Sequence, residues 1–213
     1  MSKRLIVAGA GGFGRELVQW VDSSPIFCRD NLISSVAFID DSATDKVAGV
    51  KVLGSVDSFV PSVNDLFVCA IALPESRTRV VRILEDKGAT FVPFVHDTAF
   101  VGSRSVLGAG VILCPKVLVS VDVTIGRHTH LNVGSSIGHD AVLGEFNTLS
   151  SNCFIGGNSK LGNNVFVGTS VTVSPRLNIA DDVVLGAGSV VMRSVKRQGT
   201  TYGNPAKLIP KRV

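Results

Sequence analysis

An α/β unit followed by a parallel β-helix is the fold class this sequence predicts, and three features carry the prediction. From Val95 to Val191 an aliphatic residue returns at every sixth position, through Val101, Leu107, Leu113, Val119, Ile125 and Leu131 and on to Leu185. Ahead of this array the apolar run Leu5 to Ala8 stops at Gly9-Ala10-Gly11-Gly12-Phe13-Gly14, and a segment with helical spacing follows. Two further apolar runs, Ser35 to Ile39 and Leu66 to Ala72, read as buried parallel strands. The parts meet near residue 90, giving an N-terminal domain over 1–90 and a repeat domain with its C-terminal tail over 91–213.

Taken in order, Leu5 to Ala8 is a strand and Arg15 to Val21 a helix, with a glycine turn between them. Such a turn lets backbone approach a ligand closely and aims helix N–H groups at an anion. Gly9, Gly11 and Gly14 fit GxGxxG, a weak signal when it stands alone. The second strand ends in Asp40-Asp41, where a parallel sheet places its ligand-facing edge; carboxylates there can accept hydrogen bonds from a ribose or base, or simply close a turn. Val52-Leu53 is a weak strand, and Ser55 to Val60 is expected to form a short helix capped by Ser55. After the strand ending at Ala72, Pro74 opens a helix that runs to about Lys87. This is half of a doubly wound domain. A dinucleotide oxidoreductase would need a second mononucleotide half and a substrate domain, whereas here the repeats begin at once, so the turn is read as a site for one nucleotide diphosphate.

In the array each hexad supplies one short flat strand and one corner. Three hexads make a triangular coil of roughly eighteen residues, and coils stack about 4.8 Å apart. The aliphatics fill the interior. Glycine often follows the aliphatic, as at Gly102, Gly108, Gly126, Gly138 and Gly144, and these glycines are expected to allow the backbone bends. The fourth residue after the aliphatic is usually small or β-branched, as at Ser105, Thr129, Ser135 and Ser159, and is expected to relieve crowding near the corners. Beyond Val191 the repeat lapses; Arg193, Lys196, Arg197, Lys207, Lys211 and Arg212 accumulate around the turn Gly203-Asn204-Pro205-Ala206-Lys207. This basic segment is either a solvated face or a clamp for coenzyme phosphates.

Composition limits the function. A chain of 213 residues, 45% hydrophobic, can bury two small cores. The net charge of +4 suits an anionic ligand but not a nucleic-acid platform, which needs Lys/Arg tracts interleaved with aromatics. Cys28, Cys69, Cys114 and Cys153 form no CxxC pair, so buried free thiols in a reducing, cytoplasmic setting are expected. The run Leu5-Ile6-Val7-Ala8 is too short for a signal h-region or a membrane span, so no membrane insertion is expected.

The order of parts resembles the NeuD/PglD-type sugar acetyltransferases. It runs from Gly9-Ala10-Gly11-Gly12-Phe13-Gly14 through Phe38-Ile39-Asp40-Asp41 and the hexads containing Ser136-Ile137-Gly138-His139-Asp140 to Gly203-Asn204-Pro205-Ala206-Lys207. The resemblance implies a half-Rossmann N-terminal domain and a left-handed β-helix, a handedness that spacing alone does not give. It also implies acetyl-CoA as co-substrate, a sugar or nucleotide-sugar acceptor, and homotrimers with sites between neighbouring β-helices. By position, His139 matches the family's general base and Asp140 the acidic residue that raises its basicity. Gly11, Gly12, Phe13, Asp40, Asp41 and Ala72 match the nucleotide-sugar pocket; Thr148, Thr169, Ala187 and Lys207 match the coenzyme side. Thr148 stands where some members have histidine, Phe13 likewise, and Ala72-Leu73-Pro74 replaces a common glycine-asparagine.

The remaining histidines raise one rival. His128 and His130 share a hexad, and with His139 they invite comparison with the three-histidine zinc sites of β-helical carbonic anhydrases. Their spacing differs from that family's, so no metal is expected; His96 is expected at the surface. The function expected is therefore direct acetyl transfer to a sugar amine, with sugar O-acetylation or a non-catalytic nucleotide-sugar-binding scaffold as alternatives.

Overall fold

The computed structural model describes residues 2–209, and the chain divides into two compact units, Met1–Asp97 and Thr98–Val213. Lys211 and Arg212 of the basic tail lie outside the described residues.

The N-terminal unit runs β1 (Lys3–Ala8), α1 (Gly12–Asp22), α2 (Pro25–Asp30), β2 (Ile33–Ile39), β3 (Lys46–Val47), β4 (Val50–Lys51), β5 (Asp65–Cys69), α3 (Pro74–Asp86) and β6 (Thr90–Phe91). Its sheet has the order β2-β1-β5-β6 with every neighbour parallel. Leu5 to Ala8 and Asp65 to Cys69 are buried throughout, as expected of strands covered on both faces. Leu17, Val18 and Val21 bury one face of α1, and Val80, Val81 and Leu84 one face of α3, at the spacing of amphipathic helices.

Local structure departs from expectation at four points. Ser55 to Val60 is a turn, in which the Ser58 amide donates to Ser55 Oγ (3.1 Å) and the Ser55 hydroxyl donates to Ser58 Oγ (2.8 Å); local side-chain bonds replace the helical ladder. Val52 makes only an isolated parallel bridge to Phe38, and the antiparallel pair β3–β4 precedes it. Helix α2 has no counterpart in the sequence reading, and its first free amides are capped from far along the chain: Ile26 and Phe27 N–H donate to the Asp97 carboxylate at 2.9 and 3.2 Å. His96, expected at the surface, is buried, with its Nε2 3.1 Å from Ser23 Oγ.

The second unit is the expected triangular prism. On one flat face Val101, Val119, Ile137, Ile155, Val173 and Val191 stack in register; on the next stand Leu107, Ile125, Leu143, Leu161 and Ile179; on the third Leu113, Leu131, Leu149, Val167 and Leu185. From Leu113 onward their side chains form a closed aliphatic interior, while Val101 and Leu107 in the first coil are half-buried. The fourth residue after the aliphatic does more than relieve crowding. Ser135, for instance, donates to Ser150 O (2.9 Å) and accepts from Cys153 N–H (3.2 Å), joining one coil to the next, and Ser105, Thr129 and Ser159 do the same. Past Leu185 the chain pairs Gly199–Gly203 alongside the third face and returns antiparallel through Ala206–Ile209.

The glycines are the main correction. Those that follow the aliphatics do not bend the chain; the left-handed corner residue comes two positions later, and it is rarely glycine. Arg104, Lys116, Asp122, His128, Asp140, Phe146, Asn152 and Asn158 all have φ between 54° and 60°. Gly126 instead lies where a Cβ would stand 2.5 Å from the carbonyl carbon of Gly144 in the next coil. These glycines let backbone stack on backbone, and inter-coil closeness rather than flexibility explains their recurrence.

Candidate active site

In the N-terminal unit the expected binding residues gather at the carboxyl edge of the parallel sheet. Gly9 to Gly12 follow β1, Asp40-Asp41 follow β2, and Ala70 to Ala72 follow β5, which flanks β1 on its other side. Gly9 holds φ +101°, and a side chain there would press on Ile71 Cγ1 at 3.1 Å and Ala70 O at 3.2 Å. Gly14 is required because a Cβ would collide with the Gly9 carbonyl, so helix and loop can meet only at glycine. Gly11 and Gly12 face open space, and Phe13 is half-buried with its ring edge-on to Trp20 at 5.9 Å.

Both aspartates hold backbone. Asp40 Oδ2 accepts the Ala10 N–H at 2.7 Å, while its Oδ1 accepts Ser42 and Ala43 N–H at 2.8 Å each. Partial burial alone would raise its carboxyl, but these three amide bonds together outweigh it and hold the group below the usual carboxylate range. Asp41 Oδ1 accepts Val56 N–H at 2.9 Å. Asp40 thus ties the glycine loop to the end of β2, while Asp41 ties in the turn at Val56.

Sequence reasoning missed Arg77. It is fully buried on α3, and its Nη1 donates to the carbonyls of Ile71 (2.6 Å) and Ala72 (3.1 Å). Burial pulls its pKa down to about 10 and pushes the neighbouring Cys69 thiol up to about 12. An arginine in an amphipathic helix reads as a surface residue, and only the paired strand ends reveal what it holds.

In the second unit His139 and Asp140 form the corner after the strand Ser136–Ile137. Asp140 sits in the left-handed conformation at φ 59°, and its Oδ2 lies 2.7 Å from His139 Nδ1. With the carboxylate accepting from Nδ1–H, the lone pair of the imidazole is on Nε2. Both side chains are open to solvent, at 60% and 52% exposure. One coil below, Asp122 holds the Arg104 guanidinium by two bonds of 2.6 Å. One coil above, Gly157 comes against the His139 ring.

The residues expected on the coenzyme side do not join His139 within one chain. Thr169 and Ala187 are exposed and stacked on the corner after the third face, where the Gly188 N–H donates to Thr169 O at 2.8 Å. The flat face carrying Ile137 and Ile155 separates that corner from His139. Thr148 is buried, in register between His130 and Phe166 on the third face, and Lys207 is exposed opposite Tyr202. Arg193, Lys196 and Arg197 border a cavity of about 390 Å³ with Thr201 and Leu208. His128 is buried and stacks on Phe146 at 5.0 Å, and His130 is buried as well. Among the described residues no cluster of three His, Cys, Asp or Glu groups could hold a metal. The four cysteines are free thiols, three of them buried.

Residues 4–84 match the PglD N-terminal domain family. The chain is 29% identical over 200 residues to the GDP-perosamine N-acetyltransferase of Escherichia coli O157:H7, covering 92% of this chain and 81% of that one. The acetyltransferase domain of PglB from Neisseria gonorrhoeae FA1090, solved with acetyl coenzyme A, superposes with a TM-score of 0.89 at 22% identity, covering 98% of this chain and all of that one. A mutant perosamine N-acetyltransferase from Caulobacter crescentus, solved with CoA and GDP-perosamine, gives a TM-score of 0.86 at 25% identity over 97% of each chain. The shared fold is an α/β domain followed by a left-handed β-helix. The N-terminal part of the chain thus matches the PglD N-terminal domain family, and the chain as a whole is similar in sequence and fold to sugar N-acetyltransferases.

Proposed function

We propose that this acyltransferase moves the acetyl group of acetyl-CoA to the amine of a nucleotide-linked amino-deoxy sugar, with His139 as general base. The observation that carries the reading is the exposed His139–Asp140 pair, joined at 2.7 Å through Nδ1 with Nε2 left to face the acceptor. The amine nitrogen attacks the thioester carbonyl, Nε2 takes its proton, and the C–S bond breaks as the imidazolium returns that proton to the departing CoA sulfur. Asp140 supports the imidazolium meanwhile. No covalent acyl-enzyme is required. An amine is favoured over a hydroxyl because the relatives are named as N-acetyltransferases, and a GDP-linked 4-amino sugar of the perosamine type is the first acceptor to try.

In this reading the nucleotide rests on Gly11, Gly12 and Phe13, in the loop that Asp40 holds, with Asp41 beside it and with Ala72 presented by the segment that Arg77 holds. The coenzyme lies along Thr169 and Ala187, its phosphates toward Lys207 and the basic cavity. Those residues and His139 occupy different corners of one prism, so a complete site calls for a second copy. The face between the two corners supports this: Phe100, Leu118 and Phe154 lie in one column along it, with Ser136 between the last two, and are exposed at 61%, 47% and 42%. Packing that apolar column against another subunit, closed as a homotrimer, hides it from water. No helix of the described residues is long and apolar enough to cross a membrane; free thiols and the use of acetyl-CoA favour the cytoplasm.

The test is CoA thiol release from acetyl-CoA with GDP-, UDP- and dTDP-linked amino sugars. Release with one of them, abolished in His139→Ala, is the expected result. Silence with every amino sugar would overturn the amine reading and leave sugar O-acetylation or the binding scaffold, and a fully active His139→Ala would remove the base. Sedimentation at micromolar concentration should give a trimer, and a strict monomer would rule out the shared site.

A further inference from the structure

The ring of His139 has two neighbours that limit where it can lie. Asp140 holds one edge through Nδ1, while the other edge rests on Gly157, one coil above. The backbones of the two coils are joined at this point, since the Asn158 N–H donates to His139 O at 2.8 Å. A Cβ placed on Gly157 would stand 2.9 Å from His139 Nε2, 3.0 Å from Cε1 and 3.1 Å from the His139 carbonyl oxygen. Gly157 is buried, and its φ lies outside the left-handed range, so the position does not need glycine for its backbone conformation.

Other coil glycines differ in what they meet. Gly102, Gly126 and Gly156 press on backbone atoms of the next coil, so a side chain there would wedge apart the stack. Gly157 presses chiefly on the free end of an exposed imidazole. A methyl at that point has an easy outlet: the ring swings toward solvent, and the coils need give by only a few tenths of an ångström at the carbonyl. The stack survives, while the ring loses the pose in which Nδ1 meets Asp140 and Nε2 faces the corner.

We infer that Gly157 is a positioning residue for acetyl transfer, holding the His139 ring in its reactive orientation by having no side chain. This rests on the reading of His139 as the base. Reacting groups must sit within a few tenths of an ångström of their productive positions, and a misplacement of about 1 Å costs on the order of 100-fold in rate. Sequence alone carried a signal for this residue, because Gly157 lies three hexads beyond His139 and therefore directly over it.

The test is Gly157→Ala in the full-length protein, with kcat, KM for acetyl-CoA and for the accepted nucleotide sugar, and Tm measured beside wild type and His139→Ala. The expected result is a kcat lowered at least about 10-fold with KM for acetyl-CoA unchanged within about twofold and Tm close to wild type. Gly157→Ser should behave alike, since it carries the same Cβ. A kcat within twofold of wild type overturns the inference. A loss of kcat accompanied by a matching loss of coenzyme affinity or a collapse of Tm also overturns it, because the glycine then serves the coenzyme or the stack. If His139→Ala is itself fully active, the base assignment fails instead, and the two failures are told apart by which variant keeps its rate.

Discussion

The two units bury parallel strands by opposite means. In the prism the strand contacts lie one coil away, so a residue's stacked neighbours are found by adding eighteen to its number, as the column Leu113, Leu131, Leu149 shows. In the α/β unit the joins are irregular: Asp40 reaches back to Ala10, Asp97 caps a helix near Ile26, and Arg77 closes the end of β5. A periodic structure announces its contacts in its sequence, whereas a wound sheet conceals them in the path of the chain.

The largest effect that would sharpen this contrast is catalytic. His139→Ala should reduce kcat by about 10² to 10⁴-fold, the usual worth of a general base, with little change in Tm because the side chain is exposed. Thiol release and a thermal melt on the same sample check both halves. A large drop in Tm would mean that the corner also holds the coils together.

Next comes the division of labour among coil positions. Gly126→Ala drives a methyl against the Gly144 carbonyl carbon at 2.5 Å and should cost about 1–3 kcal/mol in denaturant unfolding. At the left-handed corner the opposite change should help: Lys116→Gly removes a strained φ of 60° and should be neutral or stabilising by under about 1 kcal/mol. Should Lys116→Gly destabilise more than Gly126→Ala, the assignment of bending to the corner and stacking to glycine would be reversed.

The smaller effect belongs to the α/β unit and depends on pH. Asp40→Ala removes the acceptor for three amides and should cost about 1 kcal/mol or more at neutral pH. Because the folded carboxyl lies below its ordinary value, that stabilisation is complete above the ordinary carboxylate range and is lost as pH falls through the folded value. Unfolding of wild type and variant should therefore differ at pH 7 and converge in acid. A gap that widens in acid would contradict the hydrogen bonding described.

Much of the molecule is legible in its sequence. The sixfold aliphatic period announces the prism, its register and the corner that carries His139, and the glycine turn announces β1 and α1. Other features mislead. Glycine invites credit for the bends because it is the residue most free to bend, yet Arg104, Asp140 and Phe146 do the bending and glycine allows the approach. Ser55 resembles a helix cap because a capping serine and a turn-forming serine look alike until the backbone path is known. His96 reads as exposed because nothing near it in sequence foretells the Ser23 hydroxyl.

Repetition and residue type, both local properties, were enough to specify the strands and the coil, while the roles expected of His139 and Asp140 came from the resemblance to a family. Whether Asp40 faces a ligand or an amide, what the buried guanidinium of Arg77 grips, and which glycine lies against the histidine were settled by distant segments brought side by side. The reason is geometric: a period of six fixes where a side chain starts, but its partners are fixed by whatever backbone the fold lays next to it.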